Sequence, residues 1–164
     1  FELSALLSFL ADQGMVLDSR QAEQLQSYLI LLRNWSLRMN LVSQNDRALL
    51  VERHILPAFF YAFEIAKLKK KHIKILDLGS GAGLPGVPVS LFFPKKEIWL
   101  LDSSRKKQLF LKKVVGALGI NAVAVCNRVE KLALKNTERF DVVVARSVAS
   151  LNTLSAWGRG VLKE

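Results

Sequence analysis

Hydrophobic positions change their period once along the chain, near residue 73. Upstream, Leu3, Leu6, Leu7 and Leu10 fall at i, i+3, i+4 and i+7, the spacing of one helical face. A longer helix is expected to carry Ala22, Leu25, Leu29, Leu32 and Met39 on one side, with Ser19 as its N-cap. Pro57 is expected to limit helix over Arg53–Leu56 and to open a further helix to Lys67, because proline lacks an N–H yet suits a first helical turn. Downstream, short apolar runs alternate with helical stretches. Ile73–Leu76, Ile98–Leu101, Ala122–Val125 and Phe140–Ala145 read as strands; Leu84–Phe93, Ser104–Leu118, Glu130–Leu134 and Leu151–Trp157 read as helices. This alternation implies βαβ units, a parallel sheet and right-handed crossovers. The expected architecture is a helical extension over residues 1–72 and an α/β core over residues 73–164, with helices on both faces of the sheet, in one compact unit. Val161–Glu164 reads as the opening of another strand, so further C-terminal strands are expected outside this sequence.

Size and composition agree with that picture. A chain of 164 residues and 18.4 kDa, 51% hydrophobic and 23% charged, is one globular domain and not a disordered or collagen-like chain. The single cysteine, Cys126, cannot close an internal disulfide; it excludes zinc-finger and iron–sulfur frameworks and fits a reducing, cytoplasmic location. His54 and His72 are too few and too far apart for a metal site, so no metal is expected. No apolar run approaches the roughly 20 residues of a membrane helix, and a monomer with no membrane partner is expected. Charge changes the picture more. The net charge is +10; residues 1–72 carry nine basic and seven acidic side chains, whereas residues 73–164 carry fifteen and seven. A basic half on a globular domain points to a polyanionic partner, most simply nucleic acid.

The first strand runs into Asp77-Leu78-Gly79-Ser80-Gly81-Ala82-Gly83-Leu84-Pro85-Gly86. A strand, a glycine loop and a helix meet at the carboxyl edge of a parallel sheet, where such folds bind ligands. Gly81-x-Gly83-x-x-Gly86 matches the dinucleotide pattern, which would suit an NAD(P)-linked oxidoreductase. Gly79-x-Gly81-x-Gly83 with Asp77 ahead of it matches the loop of S-adenosylmethionine-dependent methyltransferases. Asp77 favours the second reading: a carboxylate repels a pyrophosphate but suits the cationic amino group and sulfonium of S-adenosylmethionine. Asp102, at the tip of the next strand, is placed to accept from ribose hydroxyls. Asp77, Gly79, Gly81, Gly83 and Asp102 are therefore candidate cofactor residues.

The other strand ends converge on the same crevice. Asn127–Glu130 follows the third strand, where Val129 could pack on an adenine and Arg128 and Glu130 could form a surface pair. Arg146 ends the fourth strand, either paired with a carboxylate or clamping substrate or cofactor. The Asp/Asn-Pro-Pro-Tyr/Phe segment common in exocyclic-amine methylation is absent there, and Cys126 lacks the context of a pyrimidine-methylating nucleophile. That leaves chemistry needing no general base. Guanine N7 has a free in-plane lone pair, and in-line transfer to it relies on proximity and orientation.

With Met39-Asn40-Leu41-Val42-Ser43, Glu52-Arg53-His54-Ile55-Leu56, Gly83-Leu84-Pro85-Gly86-Val87-Pro88, Leu101-Asp102-Ser103, Arg128-Val129-Glu130 and Ala145-Arg146-Ser147 in hand, the chain resembles the bacterial 16S ribosomal RNA guanine-N7 methyltransferases, the small-subunit methyltransferase G (glucose-inhibited division protein B) family. Pro57 departs from the Asp that the family often carries there. The resemblance implies a Rossmann-like methyltransferase fold, S-adenosyl-L-methionine as cofactor, and cofactor contacts at Gly79, Leu84, Val129, Glu130 and Arg146. It implies 16S rRNA or the 30S subunit as partner; Arg146 is expected to position cofactor or guanosine, with no general base. In the helix after Asp102, Arg105, Lys106, Lys112 and Lys113 share the polar face. Lys107 falls on the apolar side of the first turn, over the crevice, so Lys107 and then Lys106 are the expected RNA contacts. A non-catalytic RNA-binding module that retains a cofactor loop is the second alternative.

Overall fold

The computed structural model describes residues 3–135 and 139–163. Helices α1 (Leu3–Asp12), α2 (Ser19–Ser36) and α3 (Leu56–Ala66) precede a βαβ series. The series is β1 (Lys74–Leu78), α4 (Gly86–Phe92), β2 (Glu97–Asp102), α5 (Arg105–Leu118), β3 (Ala122–Cys126), α6 (Val129–Lys135), β4 (Val142–Ala145) and α7 (Leu151–Val161). The strands form one parallel sheet in the order β3-β2-β1-β4. Direction of growth reverses between β1 and β4, a topological switch point at which parallel α/β sheets bind ligands.

Both faces of the sheet are covered, as expected, and alternation along each strand decides which residue meets which layer. Ile75, Ile98, Leu100 and Val144 point into a core shared with α1 through α5. Leu76, Leu78 and Leu101 point the other way, into a smaller core with α6 and α7, where Trp99 meets Phe140 edge-on at 5.5 Å. The N-terminal helices contribute Leu6, Leu25, Tyr28, Leu32 and Phe59 to the first core, all fully buried.

Several local expectations are corrected. The N-cap of α2 is Asp18, not Ser19: its side chain accepts from Gln21 N at 2.8 Å, and Gln21 Oε1 accepts from Asp18 N at 2.7 Å. This reciprocal capping box satisfies two orphan N–H groups. α2 stops at Ser36, so Met39 lies in the turn beyond it. Pro57 does not break the helix. A π-turn over Val51–Ile55 runs directly into α3, with Pro57 in its first turn. Phe140 sits outside β4 and makes a single parallel bridge to Leu162, just past α7. Of the residues read as a strand opening, Val161 thus ends a helix, Leu162 meets the sheet, and Glu164 lies outside the described residues.

Candidate active site

A cavity of about 370 Å³ opens at the carboxyl ends of the strands. Gly79 and Leu78 floor it, Asp102 and Lys107 line one side, and Val129 with Glu130 another. Val148 and Trp157 close it opposite. Its size falls within the roughly 300–1,000 Å³ of small-molecule sites.

The glycine loop takes its shape from positive φ at Gly79 (71°), Gly81 (56°) and Gly83 (90°), where side chains are strained. A Cβ on Gly79 would stand 2.5 Å from Val148 Cγ2, so glycine lets the two strand ends close together. A Cβ on Gly81 would meet nothing nearer than 3.7 Å. Gly83 faces inward; its Cβ would lie 2.7 Å from Val87 Cγ2. Leu84 is buried in the core and, like Gly83, does not line the cavity.

The hydrogen bonds of this loop decide what it can hold. Ser80 N donates to Leu101 O, Gly83 N and Leu84 N to Ser80 O, and Val87 N to Gly83 O. Gly81 N donates to Asp102 Oδ2 at 2.9 Å, and Gly86 N to Asp77 Oδ2 at 2.9 Å. A dinucleotide loop turns such N–H groups, and the first amides of its helix, toward a pyrophosphate. Here they turn toward acceptors of the chain itself, and a carboxylate takes the first amide of α4. The arrangement is not a phosphate cradle.

Asp77 is fully buried behind the loop, where Oδ2 also accepts from Ser80 Oγ at 2.6 Å while Oδ1 has no partner. Burial pushes its pKa up to about 6, opposed by the Ser80 and Gly86 hydrogen bonds and by the Arg146 charge. Asp102 reaches the cavity surface. Its Oδ1 accepts from Ser104 N at 2.8 Å, and Lys107 Nζ stands 3.9 Å from Oδ2. Each oxygen keeps a lone pair for a ligand hydroxyl. Val129 and Glu130 line the cavity, and no ion pair joins Arg128 to Glu130 among the described residues.

Arg146 takes another direction. Its Nη2 lies 2.7 Å from His54 Nδ1, and its Nη1 donates to Arg53 O at 3.5 Å. Pro57 has no N–H to offer the Arg53 carbonyl, which leaves that oxygen for the guanidinium. His54 Nε2 in turn stands 3.4 Å from Asp46 Oδ2. Burial and the Arg146 charge push the His54 pKa down, so the neutral ring accepts at Nδ1. Asp46 is held at about 2 by hydrogen bonds from Arg53 and Ser43. The residue after Arg146, Ser147, lies on the cavity with φ of 56°, a left-handed conformation uncommon for serine. Lys106 lines a separate cleft and Lys107 lines both spaces. Ser147 enters the sequence reading only within the Ala145-Arg146-Ser147 segment, and Val148 and Trp157 have no site role in it. The signal for Trp157 is its position three residues after Leu154, on the same helical face.

The fold is the Rossmann-like one of S-adenosylmethionine-dependent methyltransferases. Over its whole length the chain superposes on 81% of a protein-L-isoaspartate O-methyltransferase from Plasmodium falciparum solved with S-adenosyl-L-homocysteine, with a TM-score of 0.58 at 13% identity. A methyltransferase from Agrobacterium tumefaciens matches 66% of this chain and 40% of its own, with a TM-score of 0.51 at 12% identity. Within that class the chain belongs to the rRNA small subunit methyltransferase G family, whose model matches residues 21–164. Ribosomal RNA small subunit methyltransferase G of Chlorobium luteolum is 36% identical over 160 residues, covering 97% of this chain and 65% of the relative. The Thermoanaerobacter sp. protein of the same name is 38% identical over 144 residues, covering 86% of this chain and 59% of the relative. The chain thus spans about three-fifths of the length of these relatives.

Proposed function

We propose that the protein transfers a methyl group from S-adenosyl-L-methionine to N7 of a guanosine in 16S ribosomal RNA. The observation that carries the cofactor assignment is the glycine loop, whose Ser80, Gly81, Gly83, Leu84 and Gly86 amides donate inside the chain, Gly81 to Asp102. Such a loop suits a nucleoside without phosphate better than a dinucleotide. The cofactor would supply an electrophilic methyl on a sulfonium. Asp102 would hold its ribose hydroxyls, Val129 and Glu130 its adenine, and Gly79 and Gly81 would let it approach the backbone. Asp77, behind the loop, would contribute negative charge through the floor of the site, and Gly83 and Leu84 would shape that floor from within.

The protein side of the reaction is binding and orientation. No general base is needed for a lone pair that is already free, and Arg146 with Ser147 would shape the wall where the guanine is presented. Family membership supports ribosomal RNA as the substrate, and the excess of basic over acidic side chains in the half holding the cavity fits it. The assembled 30S subunit, a monomeric state and a cytoplasmic location belong to the same reading. Among the described residues no helix is long and apolar enough to cross a membrane.

Two measurements test the proposal. Calorimetry with S-adenosylmethionine and with NADH on one sample should give binding of the first alone. Labelled methyl should pass to 16S RNA in 30S subunits and map to guanine N7. Binding of NADH, or cofactor binding with no transfer to RNA, would sink it.

A further inference from the structure

A second cleft, of about 270 Å³, adjoins the main cavity and shares Lys107 with it. One wall is the turn after α2, with Arg38 and Asn40; the other is the first turn of α5, with Ser104, Lys106 and Lys107. We infer that this cleft is a phosphodiester-binding subsite, seating the backbone of an RNA strand whose target base enters the main cavity. The inference rests on the RNA-methyltransferase reading and extends it to residues of the N-terminal helices.

Core packing builds the cleft. Met39 N donates to Trp35 O at 2.8 Å and Leu41 N to Met39 O at 2.8 Å, which folds the chain back after α2. Trp35 meets Phe110 of α5 at a ring separation of 5.6 Å, and this contact docks the two helices. Two segments more than sixty residues apart therefore present their cations to one concavity. Ser104 caps α5 by accepting from Lys107 N, so the fourteen-residue helix begins at this cleft.

The charge of the cleft is one-sided. It is lined by three cations and by no acidic side chain. Among the described residues, Arg38 and Lys106 have no carboxylate within ion-pairing distance, and Lys107 has only Asp102, across the boundary in the main cavity. The main cavity differs: Asp102 and Glu130 there balance Lys107 and Arg128. Like charges converging on a concave surface repel one another and attract an anion. The start of α5 adds its dipole in the same sense. Arg38 offers a planar fork that suits two phosphate oxygens, and the lysines offer point charges. A strand with one base in the main cavity would then bring a neighbouring phosphate past Lys107 and into this cleft.

The test is binding of a labelled, guanosine-containing single-stranded oligoribonucleotide, followed by anisotropy at several salt concentrations. Each phosphate contact on a single strand contributes about 0.7 to the log–log salt slope. Arg38→Ala/Lys106→Ala should therefore lower the slope by about 1.4 and weaken binding at low salt. S-adenosylmethionine affinity by calorimetry and thermal melting should stay at the parent's values, since both side chains are exposed. Lys112→Ala/Lys113→Ala, on the outer face of the same helix, should keep a larger share of the slope. A double variant with the parent's slope, or one that loses cofactor affinity instead of RNA affinity, would overturn the subsite, as would a parent that does not bind the oligonucleotide. A parent that binds RNA through these residues but transfers no methyl would overturn the catalytic reading and leave the subsite standing.

Discussion

Replacing Asp77 by asparagine should make the protein's stability less dependent on pH, in a direction opposite to the usual carboxylate. A salt-bridged surface acid has a lowered pKa and stabilises the fold as pH rises. Asp77 is fully buried and its pKa is pushed up to about 6 from the ordinary 3.8. Between those values the folded state binds more protons than the unfolded one, so this group's contribution is fully present below about pH 4 and is lost as pH rises through 6. The rise is worth ~3 kcal/mol at pH 7. Asparagine mimics the protonated acid. Its Oδ1 can accept from Ser80 Oγ and Gly86 N as Asp77 Oδ2 does, and its amide nitrogen takes the place of Oδ1, which has no partner in the parent.

The measurement is urea unfolding of parent and Asp77→Asn from pH 4 to pH 8, read as the difference between the two curves. His54, Asp46 and Asp141 also titrate with shifted pKa values, but they are common to both proteins and largely cancel. Relative to the parent, the variant should gain about 3 kcal/mol between pH 4 and pH 7. It should also bind S-adenosylmethionine more weakly, because the charge retained at a cost in stability lies beneath the site proposed for a cationic ligand. A difference that stays flat with pH would refute the reasoning. So would a parent that becomes relatively more stable across the window, since the buried carboxylate would then be well solvated by its neighbours.

Gly83→Ala should destabilise the fold by ~2–4 kcal/mol, because its Cβ enters the packing around Val87 at φ of 90°, whereas Gly81→Ala should mainly weaken cofactor binding; thermal melts and calorimetry on both separate the roles. Tyr28→Phe should cost ~1–2 kcal/mol in urea unfolding, since it removes the hydroxyl donated to Ala82 O at 2.7 Å and leaves that carbonyl buried. His54→Asn should keep more methyl-transfer activity than His54→Gln, because an asparagine oxygen falls near the position of Nδ1, which Arg146 uses, and a glutamine oxygen near that of Nε2. Equal activity of the two variants in a transfer assay on 30S subunits would remove His54 from the positioning of Arg146.

What could be read from the chain was what depends on local period. The strands and helices after residue 73 followed from alternating short apolar runs and helical spacing, and the glycine loop from the density of residues that permit positive φ. Asp102 and the Asn127–Glu130 loop followed from topology, because every strand end of a parallel sheet faces one edge. Other features depended on partners far away in sequence. His54 and Arg146 are ninety-two positions apart, and neither residue signals the other. The cap of α2 was missed for a local reason: Asp18 and Gln21 form a reciprocal box, but the adjacent Ser19 offered a simpler candidate. The π-turn before Pro57 was hidden because a helix was expected to stop where proline cannot donate. It instead widened, and the unclaimed carbonyl became a partner for Arg146.

The N-terminal helices and the sheet layer meet through polar bonds, three of them placed at the strand ends that build the cavity. Tyr28 of α2 donates to Ala82 O inside the glycine loop. Tyr61 of α3 donates to Ala145 O at 3.2 Å, at the end of β4 and one residue before Arg146. His54, from the π-turn between them, holds Arg146 itself. Gln24 of α2 binds Leu118 O at 2.7 Å, at the far end of α5. Each side chain satisfies a group that a loop cannot satisfy within its own backbone, which is how an irregular segment can be both buried and fixed. Under the proposed mechanism, which relies on orientation, the cavity has to hold its walls to within fractions of an ångström. The helical preface supplies that rigidity at β1 and β4, the two strands flanking the switch point, and in the turn after α2 it also supplies one wall of the adjoining cationic cleft. The helix whose Tyr28 holds the glycine loop is thus followed directly by the turn that carries Arg38.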